Sequence, residues 1–225
     1  MIPDTRYPIP ENGQLHGRAV ISISGVAPEA FLQGLLTADM QALAPDRSVY
    51  GALLTAQGKM LFDVFVHRHD GGIVIDCAAN QRGELIAKLK FYRLRAKLDI
   101  VVRDDLAVRV GAAGMPADPR LAEMGRRFIA PAGAAASDIA AYHARRIALG
   151  LADSEADLGS GEFYPHEANL DQFDGVSFSK GCYVGQEVVS RMEHRGSARS
   201  RILPVACAGA AAPKGTEIVA GARPV

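Results

Sequence analysis

Cys182 is the residue of this chain best placed for chemistry. It lies in Lys180-Gly181-Cys182-Tyr183-Val184-Gly185-Gln186-Glu187, between two glycines and two residues after a cation. In an extended segment, side chains two apart project to the same side, so the Lys180 ammonium would favour the thiolate over the thiol. Residues 186–193 predict a helix, whose free N–H groups and positive end would add to that bias. Gly181 and Gly185 let the backbone turn sharply and let a ligand come close. An isolated cysteine is otherwise a small buried hydrophobe. The cation and the paired glycines argue for a reactive one here.

Other residues could support such a site. Asp63 falls among apolar neighbours on an expected strand, where it reads either as a general base or ligand contact or as a hydrogen-bonded structural acid at a strand edge. Arg191, His194, Arg195, Arg199 and Arg201 make the densest cationic group near the cysteine. They could cradle carboxylates, while Glu187 and Arg191, four apart, fit an ordinary surface ion pair. The six histidines contain no HxxxH or HExxH pair, so no metal site is expected. Arg93, Arg95 and Lys97, interleaved with Phe91 and Tyr92, read as a helix end and a strand with a solvated face, not as a nucleic-acid stripe.

The elements that must position these groups follow from periodicity. Residues 18–24 alternate like a strand, and Pro28 opens a helix with Phe31, Leu32, Leu35 and Leu36 on one face. Strands are expected at 50–55, 60–67 and 73–77, with turns at 56–58 and 70–72. In the middle strand Met60, Phe62, Val64 and Val66 should face one way and Leu61, Asp63, Phe65 and His67 the other. Asn80 could cap a helix that buries Leu85, Ile86 and Leu89. Strands near 100–102 and 106–110 follow, then a Gly/Ala/Pro-rich surface excursion over 111–133. Ser137 could cap a helix through Tyr142 and Ile147, and 202–207 and 217–219 read as strands. This order predicts an α+β fold with antiparallel pairing, not a doubly wound parallel sheet.

Composition sets limits. The 225 residues carry 25 Lys plus Arg against 25 Asp plus Glu, so no global field draws the chain to nucleic acid or an anionic membrane. Cys77, Cys182 and Cys207 share no metal-ligand spacing and are too few for a disulfide framework, which suggests a reducing, cytoplasmic setting. No apolar run approaches the length of a membrane helix, and the first residues lack a signal or transit pattern. A soluble protein is expected.

The octapeptide, with Pro165-His166-Glu167-Ala168-Asn169-Leu170-Asp171 before it and Arg191-Met192-Glu193-His194-Arg195-Gly196 after it, resembles the signature of the YgfZ family. These folate-binding proteins support iron–sulfur enzymes and are related to the aminomethyltransferase (T-protein) of the glycine cleavage system. Residues 31–39 and 57–63 extend the similarity. The resemblance implies a T-protein-like folate-binding fold with mixed or antiparallel sheets in three portions: an N-terminal α+β folate-binding portion at 1–110, a second α/β portion carrying the octapeptide at 111–200, and the start of a small β-barrel at 201–225, which would be incomplete where this sequence stops. It implies tetrahydrofolate as ligand, iron–sulfur client enzymes or cluster assembly proteins as partners, and clients that include radical enzymes modifying transfer RNA. Cys182 would be the reactive thiol and Lys180 its activator. Asp63, Glu167, Asn169, Gly181, Tyr183, Gly185, Gln186, Glu187 and Arg191 would shape the folate site, with His166 in the same cavity.

Two departures weigh against the rival reading, a folate-dependent aminomethyl or one-carbon transferase. Phe62 replaces the first of an aspartate pair, and Ala148 stands where the transferases place a pterin-binding glutamate. A third reading makes the chain a folate-stabilised binding module with an inert Cys182.

Overall fold

The computed structural model describes residues 7–114, 116–133, 139–196, 198, 200–213, 215–220 and 223–224. Strands β1 (Gly13–Gln14), β2 (Arg18–Gly25), β3 (Val49–Leu54), β4 (Met60–His69), β5 (Gly72–Ala78), β6 (Leu98–Val102), β7 (Leu106–Gly111) and β8 (Arg126–Pro131) form two sheets. One has the order β3-β4-β5-β2-β6 and the other β1-β7-β8, and every pairing in both is antiparallel. Helices α1 (Pro28–Gln33), α2 (Arg82–Arg93), α3 (Ala140–Ala148) and α4 (Gln186–Arg195) complete an α+β architecture. No helix among the described residues is long and apolar enough to cross a membrane.

The strand period decides what each face of the larger sheet holds. Ile21, Ile23, Phe62, Val64, Val66, Ile75 and Cys77 point to one side, where Leu32 of α1 and Leu85 and Leu89 of α2 seal a hydrocarbon core. The intervening positions Val20, Asp63, Phe65, His67, Val74 and Asp76 are buried on the other side. Met60 departs from the expected alternation: the register shifts between Leu53 and Leu54, and Met60 joins Phe65, Tyr183 and Val189 in a second cluster. A bulge adds one residue and flips the side chain beyond it.

Several expectations need correction. The 111–133 stretch is no surface excursion: β8 pairs along β7, and Met124, Asp118, Arg120 and Arg127 within it are buried. Its strand is hard to read because Arg127 points inward to a carboxylate. The boundary expected at 110 therefore falls inside the β7–β8 hairpin, whose sheet also takes β1 from the N-terminal portion. Asn80 does not cap α2; a 3-10 turn over Ala79–Gln81 leads directly into it. Leu35 and Leu36 lie beyond α1, and Leu36 bridges to Leu53. Residues 202–207 are irregular, with 203–207 exposed, and the expected strand at 217–219 is reduced to β9 (Val219–Ala220) pairing with β10 (Arg223–Pro224). The described residues from 201 onward thus show only this two-residue ribbon in place of barrel strands. Ser137 lies outside the described residues.

Candidate functional site

The segment after α1 is the seat of the cysteine loop. Thr37 Oγ receives the Ala52 N–H at 2.8 Å, and its carbonyl takes the Ser177 N–H at 2.9 Å, so residues 36–38 link β3 to the chain leading into Lys180. Lys180 then donates from Nζ to the carbonyls of Leu36 at 2.8 Å and Ala38 at 2.7 Å. Burial pushes its ammonium down to about 8, against the opposing pull of Asp39. Tyr183 packs under this ammonium, 5.2 Å from ring centre to Nζ, and burial lifts its phenol to about 12.

Gly185 closes the loop and caps α4 at φ +80°; a Cβ there would meet the Thr55 carbonyl at 2.5 Å and Gly58 Cα at 3.1 Å. Glycine is required on both counts. Gly181 differs, since a Cβ there would meet only open space.

The loop presents Cys182 to solvent. Lys180 and Tyr183 are 9% and 7% exposed, whereas Cys182 is an exposed free thiol between them. Cys77 contrasts with it: buried in the hydrocarbon core, its thiol is pushed up to about 12. The expected role of Lys180 as thiolate activator is corrected. Lys180 turns inward while Cys182 faces solvent, and the ammonium is committed to two backbone carbonyls and an aromatic face. Among the described residues nothing hydrogen-bonds to Cys182.

The other predicted site residues do not converge on one cavity. Gln186, Glu187 and Arg191 line a shallow hollow on the outer face of α4, and Glu187 and Arg191 form no ion pair. Glu167 caps a turn through the Tyr164 N–H at 2.8 Å and receives Ser200 Oγ at 3.1 Å. Asn169 donates to the Ile202 carbonyl at 2.7 Å and accepts from Arg201 at 3.2 Å. Both clasp the segment after α4. His166 faces Glu193 at 3.1 Å, and Asp171 holds the Arg201 guanidinium in a two-point pair at 2.7 and 2.8 Å. One ligand atom from each of His166, Asp171 and Glu193 lies within 4.8 Å of the others, a spacing that could hold a cation, but both carboxylates already have partners.

Asp63 is buried on β4, an interior strand, and not at a sheet edge. Its oxygens are taken by Arg18 at 3.5 Å, Tyr50 at 3.4 Å and Ser154. The space beside it is about 10 Å³, room for one water at most. It belongs to a buried charge cluster that sequence reading missed. Asp76 accepts from Arg18 at 2.6 Å and from Arg127 at 2.7 Å, Asp118 pairs with Arg120 at 2.8 Å, and Arg127 and Arg120 stack on Phe65 at 3.9 and 4.8 Å. Burial raises Asp76, yet Arg127 and Arg18 together outweigh this and hold it well below the usual carboxylate range.

A more enclosed cavity large enough for a pterin lies elsewhere. It holds about 770 Å³ between the 38–50 segment, Asp118 and residues 174–179, just before Lys180. Ser48, Tyr50, Asp46 and Asp174 line it. Its size suits a small molecule, and its carboxylates are the groups that pair with amino and ring N–H donors. None of the residues expected to bind folate lines it.

Over most of its length the chain is similar to proteins of iron–sulfur cluster assembly. It is 32% identical over 231 residues to the human mitochondrial iron–sulfur cluster assembly factor IBA57, covering 85% of this chain and 65% of that protein. It is 31% identical over 229 residues to the Neurospora crassa homologue of that factor, covering 85% and 52%, and 30% identical over 236 residues to the mouse protein, covering 87% and 66%. The chain thus spans about half to two thirds of the length of these curated relatives. Among solved structures, aminomethyltransferase T of the glycine cleavage system from Bartonella henselae is similar over 46% of this chain and 29% of its own, at 17% identity and a TM-score of 0.40. No family model matches.

The cytoplasmic expectation is corrected by these relatives, which are mitochondrial by name. Cysteine count and spacing do not say which compartment a chain occupies.

Proposed function

We propose that this chain is a YgfZ-like accessory factor in iron–sulfur cluster assembly or repair, and that Cys182 is its working thiol. The observation that carries this reading is the exposed sulfur held between two buried, anchored neighbours. Lys180 and Tyr183 fix the loop, Gly185 fixes its exit, and the thiol alone is left to meet a partner. A thiolate so presented can ligate a cluster iron or hold a sulfane sulfur, which are the chemistries cluster assembly uses. Its clients include radical enzymes that modify transfer RNA.

Tetrahydrofolate is the proposed ligand of the 770 Å³ cavity, with Tyr50 as a wall and Asp46 and Asp174 as acceptors for pterin N–H groups. When bound, it would order the 174–179 segment that leads into Lys180. The transferase reading loses support, because Asp63 is enclosed by its own partners and Ala148 exposes a methyl group.

Complementation in cells depleted of the endogenous factor tests the main claim. Cys182→Ser should abolish maturation of a [4Fe–4S] client while Cys207→Ser, at another exposed thiol, should not. Full activity of Cys182→Ser would refute it. Titration calorimetry with tetrahydrofolate tests the ligand, with Asp174→Asn expected to weaken binding about tenfold, the loss of one charge-assisted hydrogen bond.

A further inference from the structure

The end of α2 carries a feature that neither the core nor the cysteine loop uses. Residues 88–97 contain five cations, Lys88, Lys90, Arg93, Arg95 and Lys97, and no acid, in a chain whose net charge is zero. Arg93 is occupied by the Leu98 carbonyl at 2.7 Å, while Lys88, Lys90, Arg95 and Lys97 are exposed and pair with no carboxylate among the described residues. Between these cations stand two large apolar side chains in solvent, Phe91 at 71% and Leu94 at 82% exposure. Leu94 also adopts φ +49° and ψ −109°, where the backbone alone would select glycine.

Phe91 borders a groove, and Leu94 follows three residues later at the end of α2. Glu84, Ala87, Lys88 and Phe91 recur at helical spacing on one stripe of α2, and with Leu61, Phe62 and Ser160 opposite they enclose about 400 Å³ with mostly apolar walls. The groove touches the start of β4, where Met60 packs with Tyr183 and Val189 in the cluster that seats the cysteine loop.

We propose that this face docks an acidic amphipathic helix of a partner protein, its apolar stripe in the groove against Phe91 and Leu94 and its carboxylates over Lys88, Lys90, Arg95 and Lys97. Charge complementarity selects the occupant: a second copy of this chain would bring the same cations against themselves. The groove sets it apart from an RNA site, because Tyr92 is half-buried and packs edge-on to Phe91 at 5.4 Å, leaving no row of open rings for bases to stack on. In helix-in-groove recognition the docking helix supplies apolar anchors at i, i+3, i+4 and i+7, and Leu61, Phe62, Ala87 and Phe91 are the apolar wall they would meet.

The test uses the full chain and a fluorescein-labelled designed peptide of about five helical turns, with leucines on one face and glutamates on the other. Fluorescence anisotropy should show saturable binding that weakens with salt. Lys88→Glu/Arg95→Glu and, separately, Leu94→Gly should each weaken it about tenfold, as loss of an anchor does. Leu94→Gly keeps the test free of misfolding, since glycine suits that backbone. The same peptide with lysines for glutamates should not bind. Absence of binding, indifference to Leu94→Gly, or equal affinity for single-stranded RNA or phosphatidylserine vesicles would overturn the proposal. Cys182→Ser should leave peptide binding unchanged, so failure here and failure of the thiol reading are separable.

Discussion

The two faces of the five-stranded sheet bury similar numbers of side chains by different physics. Toward α1 and α2 the contacts are hydrocarbon on hydrocarbon, and each residue contributes through area removed from water. Toward the β1-β7-β8 sheet the same strands place Asp63, Asp76 and His67 against Arg18, Arg120 and Arg127, with Phe65 in the middle of the guanidinium groups. The first face tolerates exchange among shapes of similar volume. The second also packs hydrocarbon, with Val20 and Val74 against Val108 and Val110, but it adds buried charges that must each find a partner, and the loss of any one of them is costly.

The largest expected effect lies on the charged face. Asp76→Ala strands two buried guanidinium groups and should destabilise by about 3–5 kcal/mol, measured by urea unfolding. On the opposite face of the same strand, Ile75→Val should cost only about 0.5–1.5 kcal/mol. Equal losses would dissolve the contrast between the faces.

Acid should separate them further. Asp76, Asp118 and Asp153 are raised by burial but held below their usual 3.8 by arginines. Their contribution is complete above that value and is lost as pH falls through the lower folded values. His67, depressed from 6.5 by burial, adds an earlier step, because the unfolded chain takes up its proton first as pH drops below 6.5. Stability should therefore decline gently below pH 6.5 and steeply below pH 4, and Asp76→Ala should flatten the steep part. A wild-type profile flat from pH 7 to 3 would contradict the coupling.

How legible each face was in the sequence follows from the same difference. Alternating β-branched residues announced β2, β4 and β5 and their hydrocarbon side. The charged side stayed hidden: Asp63 was visible as an anomaly, but its partners Arg18 and Ser154 lie 45 and 91 positions away, and no local period encodes such pairing. β8 was missed for this reason, since Arg126-Arg127-Phe128-Ile129 shows no charge–hydrophobe alternation, and Arg127 is the buried position of the strand. The helix after the cysteine loop and the glycine at its start, Gly185, are legible in the sequence, whereas Gly181 carries no such constraint. Lys180 was misassigned because spacing alone cannot see the carbonyls of residues 36 and 38 that claim it.

A smaller effect tests that loop. Gly185→Ala sets a Cβ against the Thr55 carbonyl at positive φ and should cost about 1–3 kcal/mol, the range for a strained backbone, and alter the rate at which Cys182 reacts with a disulfide reagent. Gly181→Ala, in open space, should change neither. If the two variants behaved alike, the loop would not be held by its contact with the 55–58 turn.

The smallest effect has the opposite sign. Leu94 ends α2 at φ +49° with 82% of its surface in water, so its side chain returns little burial for the strain it imposes. Glycine at a helix C-terminus reaches positive φ without a Cβ clash, so Leu94→Gly should stabilise the chain by up to about 1 kcal/mol. A core position of either sheet face would respond with a loss. Thermal melts in which Leu94→Gly lowered the midpoint would mean that Leu94 makes folded-state contacts worth more than its strain. A raised midpoint would mark it as a residue whose identity folding does not explain, which is what a contact made only with a partner leaves behind.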